Sequence, residues 1–151
     1  MRMAAHRRAD YAHFHPITTR WLDNDAYGHV NNVVYYHWFD TIINELLISG
    51  GVLDIVDSSV IGLVIESNCT YFSPVAFPDR ITAALRVAAL GNSSIRYELA
   101  IFCNDDDLAA AQGYVVHVCV ERASRQSTPI PLPMRSLLQS IPIPSFSPSQ
   151  P

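Results

Sequence analysis

Residues 21–40 read WLDNDAYGHVNNVVYYHWFD. Two carboxylates, Asp23 and Asp25, stand one residue apart, and a polar run through Gly28, His29, Asn31 and Asn32 leads directly into the most apolar segment of the chain. From there Val33, Val34, Tyr35, Tyr36, Trp38, Phe39, Ile42, Ile43, Leu46 and Leu47 cover most of a helical circumference, while His37, Thr41, Asn44 and Ser49 keep to a narrow stripe. Gly50-Gly51 stops the pattern. A helix apolar on nearly every side has to be enclosed. Its polar start therefore lies where core meets water.

The flanking sequence supplies the enclosure. Residues 13–22 alternate well enough for a first strand, with Pro16 tolerated near its start or on an edge. Beyond Gly51 the period switches to two, predicting strands over 60–72, 81–90, 94–103 and 108–122, with Gly91-Asn92 as a turn. Asn104 to Asp107 reads as a polar hairpin tip, lacking the glycine and terminal glutamate of a calcium loop. The order is β-α-β-β-β-β, an α+β chain in which a long, curved, antiparallel five-stranded sheet wraps one central helix. Strands of this length leave an edge that a second copy would cover. Residues 1–12 read as a flexible arm, 13–135 as the domain, and 136–151 as a Pro-rich disordered tail, although "PMRSLLQSI" has the pattern of a short surface helix. Seven of the ten prolines follow Thr128.

Composition narrows the function. The chain has 151 residues, enough for one domain with a proper core. Apolar residues are 49% and charged residues 16%, a low charge content that favours a homo-oligomer. The net charge of −4 gives no footing for nucleic acid. Every basic residue is arginine, so lysine Schiff-base chemistry is excluded. Cys69, Cys103 and Cys119 show no CxxC spacing and read as buried free thiols in a reducing cytoplasm. The N-terminus has no apolar signal region, and no run reaches the roughly 18 apolar residues of a membrane span. The six histidines lack metal-ligand spacing, and G-x-S-x-G, G-x-G-x-x-G and P-loop patterns are missing, so neither metal nor cofactor is expected.

The stretch Trp21–Asp40 resembles the signature of the hotdog-fold acyl-CoA thioesterases of the 4-hydroxybenzoyl-CoA thioesterase group: Asp-x-Asp, a small or aromatic residue, Gly-His-Val-Asn-Asn, and an aromatic helix. "CTYFSPVAFPDRI" (69–81) and "ERASRQSTPIPLP" (121–133) resemble that family's link between its second and third strands and its C-terminal exit. The resemblance implies a dimer or dimer of dimers with joined sheets, active sites at the protomer boundary, and acyl-CoA as substrate, coenzyme A being part of that substrate. It also implies Asp25 as the catalytic carboxylate and the Asn32 backbone amide as the group that polarises the thioester carbonyl. Elementary chemistry agrees. Thioester hydrolysis needs a base or nucleophile at the carbonyl carbon and donors where the oxyanion grows. A helix N-terminus offers unpaired amides and about half a positive charge. Gly28 lets the loop turn tightly beside them and leaves room for substrate.

The neighbouring residues divide into site and scaffold. Asp23 reads as structural, bonding loop amides or Arg20. His29 is a candidate base or a side-chain tie for the loop. Asn31 and Asn32 suit helix capping, and their side chains are also candidates for orienting Asp25. Tyr27, Val34, Tyr35 and Trp38 are expected to line the acyl pocket, and Arg86, Arg96, Arg122 and Arg125 to be available for the coenzyme A phosphates. His37, Glu45 and Glu66 read as structural. Two other readings share the fold: a non-catalytic acyl-CoA or small-ligand binding protein, and a hotdog dehydratase or hydratase, which would want a His/Asp pair that this motif does not display.

Overall fold

A computed structural model of the chain describes residues 3–145. Its elements are β1 (His13–Thr18), α1 (Val34–Ser49), β2 (Val60–Tyr71), β3 (Arg80–Leu90), β4 (Ser94–Cys103), β5 (Ala111–Glu121) and α2 (Leu132–Gln139). The five strands form one antiparallel sheet in the order β1-β3-β4-β5-β2. Register breaks between Val64 and Glu66 in β2 and between Val87 and Ala89 in β3 bend the sheet. This is the expected hotdog arrangement. Helix α1, at 16 residues, lays Tyr35, Trp38, Phe39, Ile42, Ile43, Leu46 and Leu47 against the sheet's inner face. That face is supplied by alternate residues such as Ile81, Ala83, Leu85, Ile95, Tyr97, Leu99 and Ile101. Each large apolar side chain buried there is worth roughly 1.5–3 kcal/mol.

The ends of the chain differ from expectation. Residues 4–12 are not a free arm: the His6 amide donates to Gln112 Oε1 at 2.7 Å, Gln112 Nε2 donates to the Ala4 carbonyl, and Ala12 bonds Leu85. Tyr11 is buried on the sheet's outer face with Ala84, Ala100, Phe102 and Ala109. An apolar patch on a face that would otherwise meet water pulls the arm down. The expected boundary at 135 likewise falls inside α2, whose Met134 and Leu138 are buried with Ile141 beyond them. The main chain continues to bond the sheet, the Val87 amide donating to the Ile141 carbonyl. Proline content obscured the i, i+4 pair of Met134 and Leu138. Residues 146–151 of the expected tail lie outside the described residues.

The first strand ends at Thr18, earlier than its alternation suggested, because residues 20–23 coil into a 3-10 turn. Asp23 is the reason. It is 1% exposed, accepts from the Arg20 amide at 2.8 Å, and takes the Arg20 guanidinium at 2.9 Å. Its structural role is met through the partners the sequence suggested. Among the described residues no helix is long and apolar enough to cross a membrane.

Candidate active site

The loop between β1 and α1 is shaped by its own backbone. The Asp25 amide donates to the His29 carbonyl at 2.8 Å, and the Gly28 amide returns to the Asp25 carbonyl at 3.1 Å. Gly28 has a φ of 81°, where a side chain would be strained. The Val30 amide fastens the loop to Val75 on the β2–β3 connection at 2.7 Å, and Asn24 Oδ1 accepts from the Phe77 amide. Asp25 Oδ1 accepts from the Tyr27 amide at 2.8 Å, so the carboxylate is oriented. Oδ2 has no protein partner among the described residues.

Helix α1 begins at Val34, one residue after the first apolar position of its sequence pattern. Residues 31–33 make a lead-in turn: the Val34 amide donates to the Asn31 carbonyl, and Asn31 Oδ1 accepts from the Val33 amide at 3.1 Å. Asn31 thus closes the turn that precedes the helix, whose N-cap is Val33, and its side chain makes no bond to Asp25. The Asn32 amide N–H has no acceptor among the described residues. Its carbonyl is held from the other side by the Tyr71 hydroxyl, which donates at 2.9 Å. Burial pushes the Tyr71 hydroxyl pKa upward, keeping it a donor at neutral pH. Tyr35 packs edge-on to Tyr71 with ring centroids 5.0 Å apart, and burial pushes Tyr35 up to about 12.

These groups surround one open cleft of about 360 Å³, lined by Asp25, His29, Val30, Asn32, Tyr35, Tyr71, Phe72, Ser73 and Pro74. Of the site residues expected from the sequence, Asp25, His29, Asn32 and Tyr35 lie together on this cleft. The His29 ring has no hydrogen bond among the described residues, so only its main chain ties the loop. The far wall, Tyr71 to Pro74, escaped sequence reasoning. Its signal was the abrupt end of β2 at Ser73-Pro74 inside the quoted 69–81 segment.

Other expected site residues lie elsewhere. Tyr27 is 88% exposed and stands outside the cleft. Val34 and Trp38 line a separate groove with His15, Arg20 and His37, because i and i+4 share one helix face and Tyr35 is turned about 100° from Val34. None of the four arginines lines the cleft. Arg86 is buried under the N-terminal arm, bonded to the Asp10 carbonyl at 2.8 Å and stacked on Tyr11, which removes it as a phosphate ligand. Arg122 braces the α1–β2 connection through the Ser58 and Ile55 carbonyls. Arg96 lies 3.8 Å above the Tyr114 ring on the outer face, and Arg125 is exposed in the turn after β5.

The glutamates are also placed. Glu45 receives His13 Nε2 at 2.8 Å, and Glu66 accepts from the Tyr114 hydroxyl. Burial pushes the Cys69 thiol up to about 11 and raises Cys119 too, so neither is a thiolate nucleophile at neutral pH. What the cleft offers is an oriented carboxylate and, in the same lining, a free amide just before a helix start, groups suited to acyl transfer.

The chain belongs to the Thioesterase-like superfamily, whose family model matches residues 19–139. Among solved structures, it is 53% identical to the PA5185 protein of Pseudomonas aeruginosa strain PAO1, with a TM-score of 0.91 over 94% of this chain and 99% of that one. The PA2801 protein of the same organism is 30% identical, with a TM-score of 0.78 over 83% and 97%. A 1,4-dihydroxy-2-naphthoyl-CoA hydrolase of Synechococcus elongatus is 31% identical over 81 residues, 54% of this chain. That match spans only 58% of the relative's length.

Proposed function

We propose that the protein hydrolyses an acyl-CoA thioester to the free acid and coenzyme A. The observation that carries this reading is the meeting of the Asp25 carboxylate and the unpaired Asn32 amide in one cleft. The family membership and the hydrolase relative support the same reaction. The thioester carbonyl oxygen lies toward the Asn32 N–H, where the oxyanion develops. Asp25 takes a proton from water as the water oxygen bonds to the carbonyl carbon. The C–S bond then breaks, and the thiolate leaves with that proton. Alternatively Asp25 attacks directly, giving a mixed anhydride that water opens. One turnover in ¹⁸O-water separates the routes, since only the anhydride puts label into Asp25. The Asp25→Asn variant should release thiol from an acyl-CoA panel about 10²–10⁴-fold more slowly, the usual scale for a lost general base. Near-normal turnover would remove Asp25 from the mechanism.

The working form is a homo-oligomer. Strand β2 is a 12-residue sheet edge that carries Val64 at 51% and Ile65 at 63% exposure, an edge a monomer would have to protect. Antiparallel pairing of two β2 edges extends the sheet across both copies. Sedimentation velocity should find wild type as a dimer or larger, and Ile65→Arg as a monomer. The three free cysteines suit a reducing cytoplasm.

A further inference from the structure

A second chamber, of about 300 Å³, lies at the other end of α1. It is lined by Leu47 of α1, Ile61 of β2, Leu53 of the α1–β2 connection and Met134 of α2. Two polar rings stand among these apolar walls, Tyr97 of β4 and His117 of β5, packed edge-on with centroids 5.3 Å apart. Tyr97 is fully buried, and its hydroxyl has no hydrogen-bond partner among the described residues. His117 is 5% exposed and its ring likewise bonds no described residue. Buried polar atoms in native proteins nearly always have partners, so the orphaned Tyr97 hydroxyl, beside a cavity that the unbonded His117 ring also lines, marks a place where something else is held. Burial pushes the Tyr97 hydroxyl pKa up and the His117 pKa down, so both are neutral and each can donate. Gly62 fits this reading: a Cβ there would stand 2.7 Å from His117 Nδ1 and force the ring to shift. Arg122 is the single charged residue of the lining, and its guanidinium already bonds two carbonyls of the connection that roofs the cavity.

We propose that this chamber binds an uncharged, apolar group of about ten heavy atoms that carries one acceptor oxygen, held by the Tyr97 hydroxyl and the His117 ring. The group has two possible sources. One is a free small molecule. The other is the acyl part of a thioester, a case that rests on the function proposed above; antiparallel pairing of β2 edges would set the chamber mouth at Ile61 and Gly62 of one copy beside the Tyr71 end of the other.

The probes are cyclooctanone and methylenecyclooctane, which share a shape and differ in the oxygen. Titrations of the full chain are followed through the His117 ring signals by NMR. The ketone should saturate those signals, and the alkene should bind at least ten-fold more weakly. Tyr97→Phe should bring the ketone down to the level of the alkene while its melting temperature stays at or above that of wild type. Equal binding of the two probes, binding of neither (a chamber that holds water only), or a ketone affinity untouched by Tyr97→Phe would overturn the proposal. A second arm compares KM for the coenzyme A thioesters of 4-oxo- and 4-methylenecyclohexanecarboxylic acid. A preference for the oxo ester that Tyr97→Phe abolishes assigns the chamber to the acyl group; intact ketone binding without that preference assigns it to a free molecule. Ketone binding by a protein that hydrolyses no thioester would refute the hydrolase reading and leave this one standing.

Discussion

The two ends of α1 each hold a cavity, roughly 20 Å apart along the helix at 1.5 Å per residue, and they are built on opposite plans. At the N-terminal end the cleft is open, and its polar groups are a loop carboxylate and a main-chain amide fixed by backbone hydrogen bonds. At the C-terminal end the chamber is less open, and two of its polar groups, Tyr97 and His117, are side chains in the core with no hydrogen bonds among the described residues. The first plan suits chemistry, because a free amide at a helix start stabilises charge that develops there. The second suits recognition, because a neutral donor in an apolar cavity rewards a matching acceptor and penalises its absence. Arg122 and Met134 belong only to the second, Asp25 and Tyr71 only to the first. The two should therefore be separable by mutation.

The largest effect tests that separation directly. Asp25→Asn should lower kcat about 10²–10⁴-fold and leave cyclooctanone binding at the far chamber at its wild-type affinity. Steady-state thiol release and NMR titration on the same preparation read both. A loss of ketone binding in this variant would join the two cavities into one site.

The same contrast explains what the sequence could reveal. The cleft is made largely of contiguous residues, so the run from Asp25 to Tyr35 carried its chemistry in spacing. The chamber is made of residues from α1, β2, β4, β5 and α2, which no spacing connects. The strand order and most strand limits were legible because period-two alternation reflects burial on one face, and residues 94–103 form β4 as expected. Where alternation was overridden, a specific bond did it: buried Asp23 ends β1 early, and the Asn31 turn delays α1. The arginines were misjudged for a related reason. Arg86 and Arg122 look like free cations on alternating strands, but the segments that bury or engage them, residues 10–11 and 55–58, are distant in sequence.

A smaller effect sharpens the account of the open cleft. Tyr71 touches Asn32: its hydroxyl holds the Asn32 carbonyl at 2.9 Å and so orients the peptide whose N–H is the proposed oxyanion donor. Tyr71→Phe keeps the ring against Tyr35 and removes one hydrogen bond, worth about 1 kcal/mol. If that energy is lost in the transition state, kcat should fall about five-fold with KM nearly constant. A rise in KM at constant kcat would make Tyr71 a binding group only.

The smallest expected effect lies at the C-terminal end of α1 and concerns stability against pH. Burial lowers the His117 pKa from its ordinary value of about 6.5, although the Asp40 carboxylate opposes the shift, and Arg122 is the cation nearest to it in the lining. In the unfolded chain the ring takes up its proton near pH 6.5; in the folded chain it resists until lower pH. Below about 6.5 the unfolded state therefore binds more protons, and stability falls as the pH falls through the window between the two values. His6 is shifted the same way, by burial and then by Arg86, so wild type carries two contributions. Each is limited to about 1.4 kcal/mol per pH unit, the linkage of a single proton. Urea unfolding of wild type and His117→Gln at pH 7 and 5.5 isolates the second ring: the variant should show the shallower fall, whatever its absolute stability. Equal slopes would mean that His117 is as free to protonate in the folded chain as in the unfolded one. The chamber would then gain a second cation beside Arg122 at mild acid, and the neutral Tyr97 and His117 pair that sets it apart from the cleft would be lost.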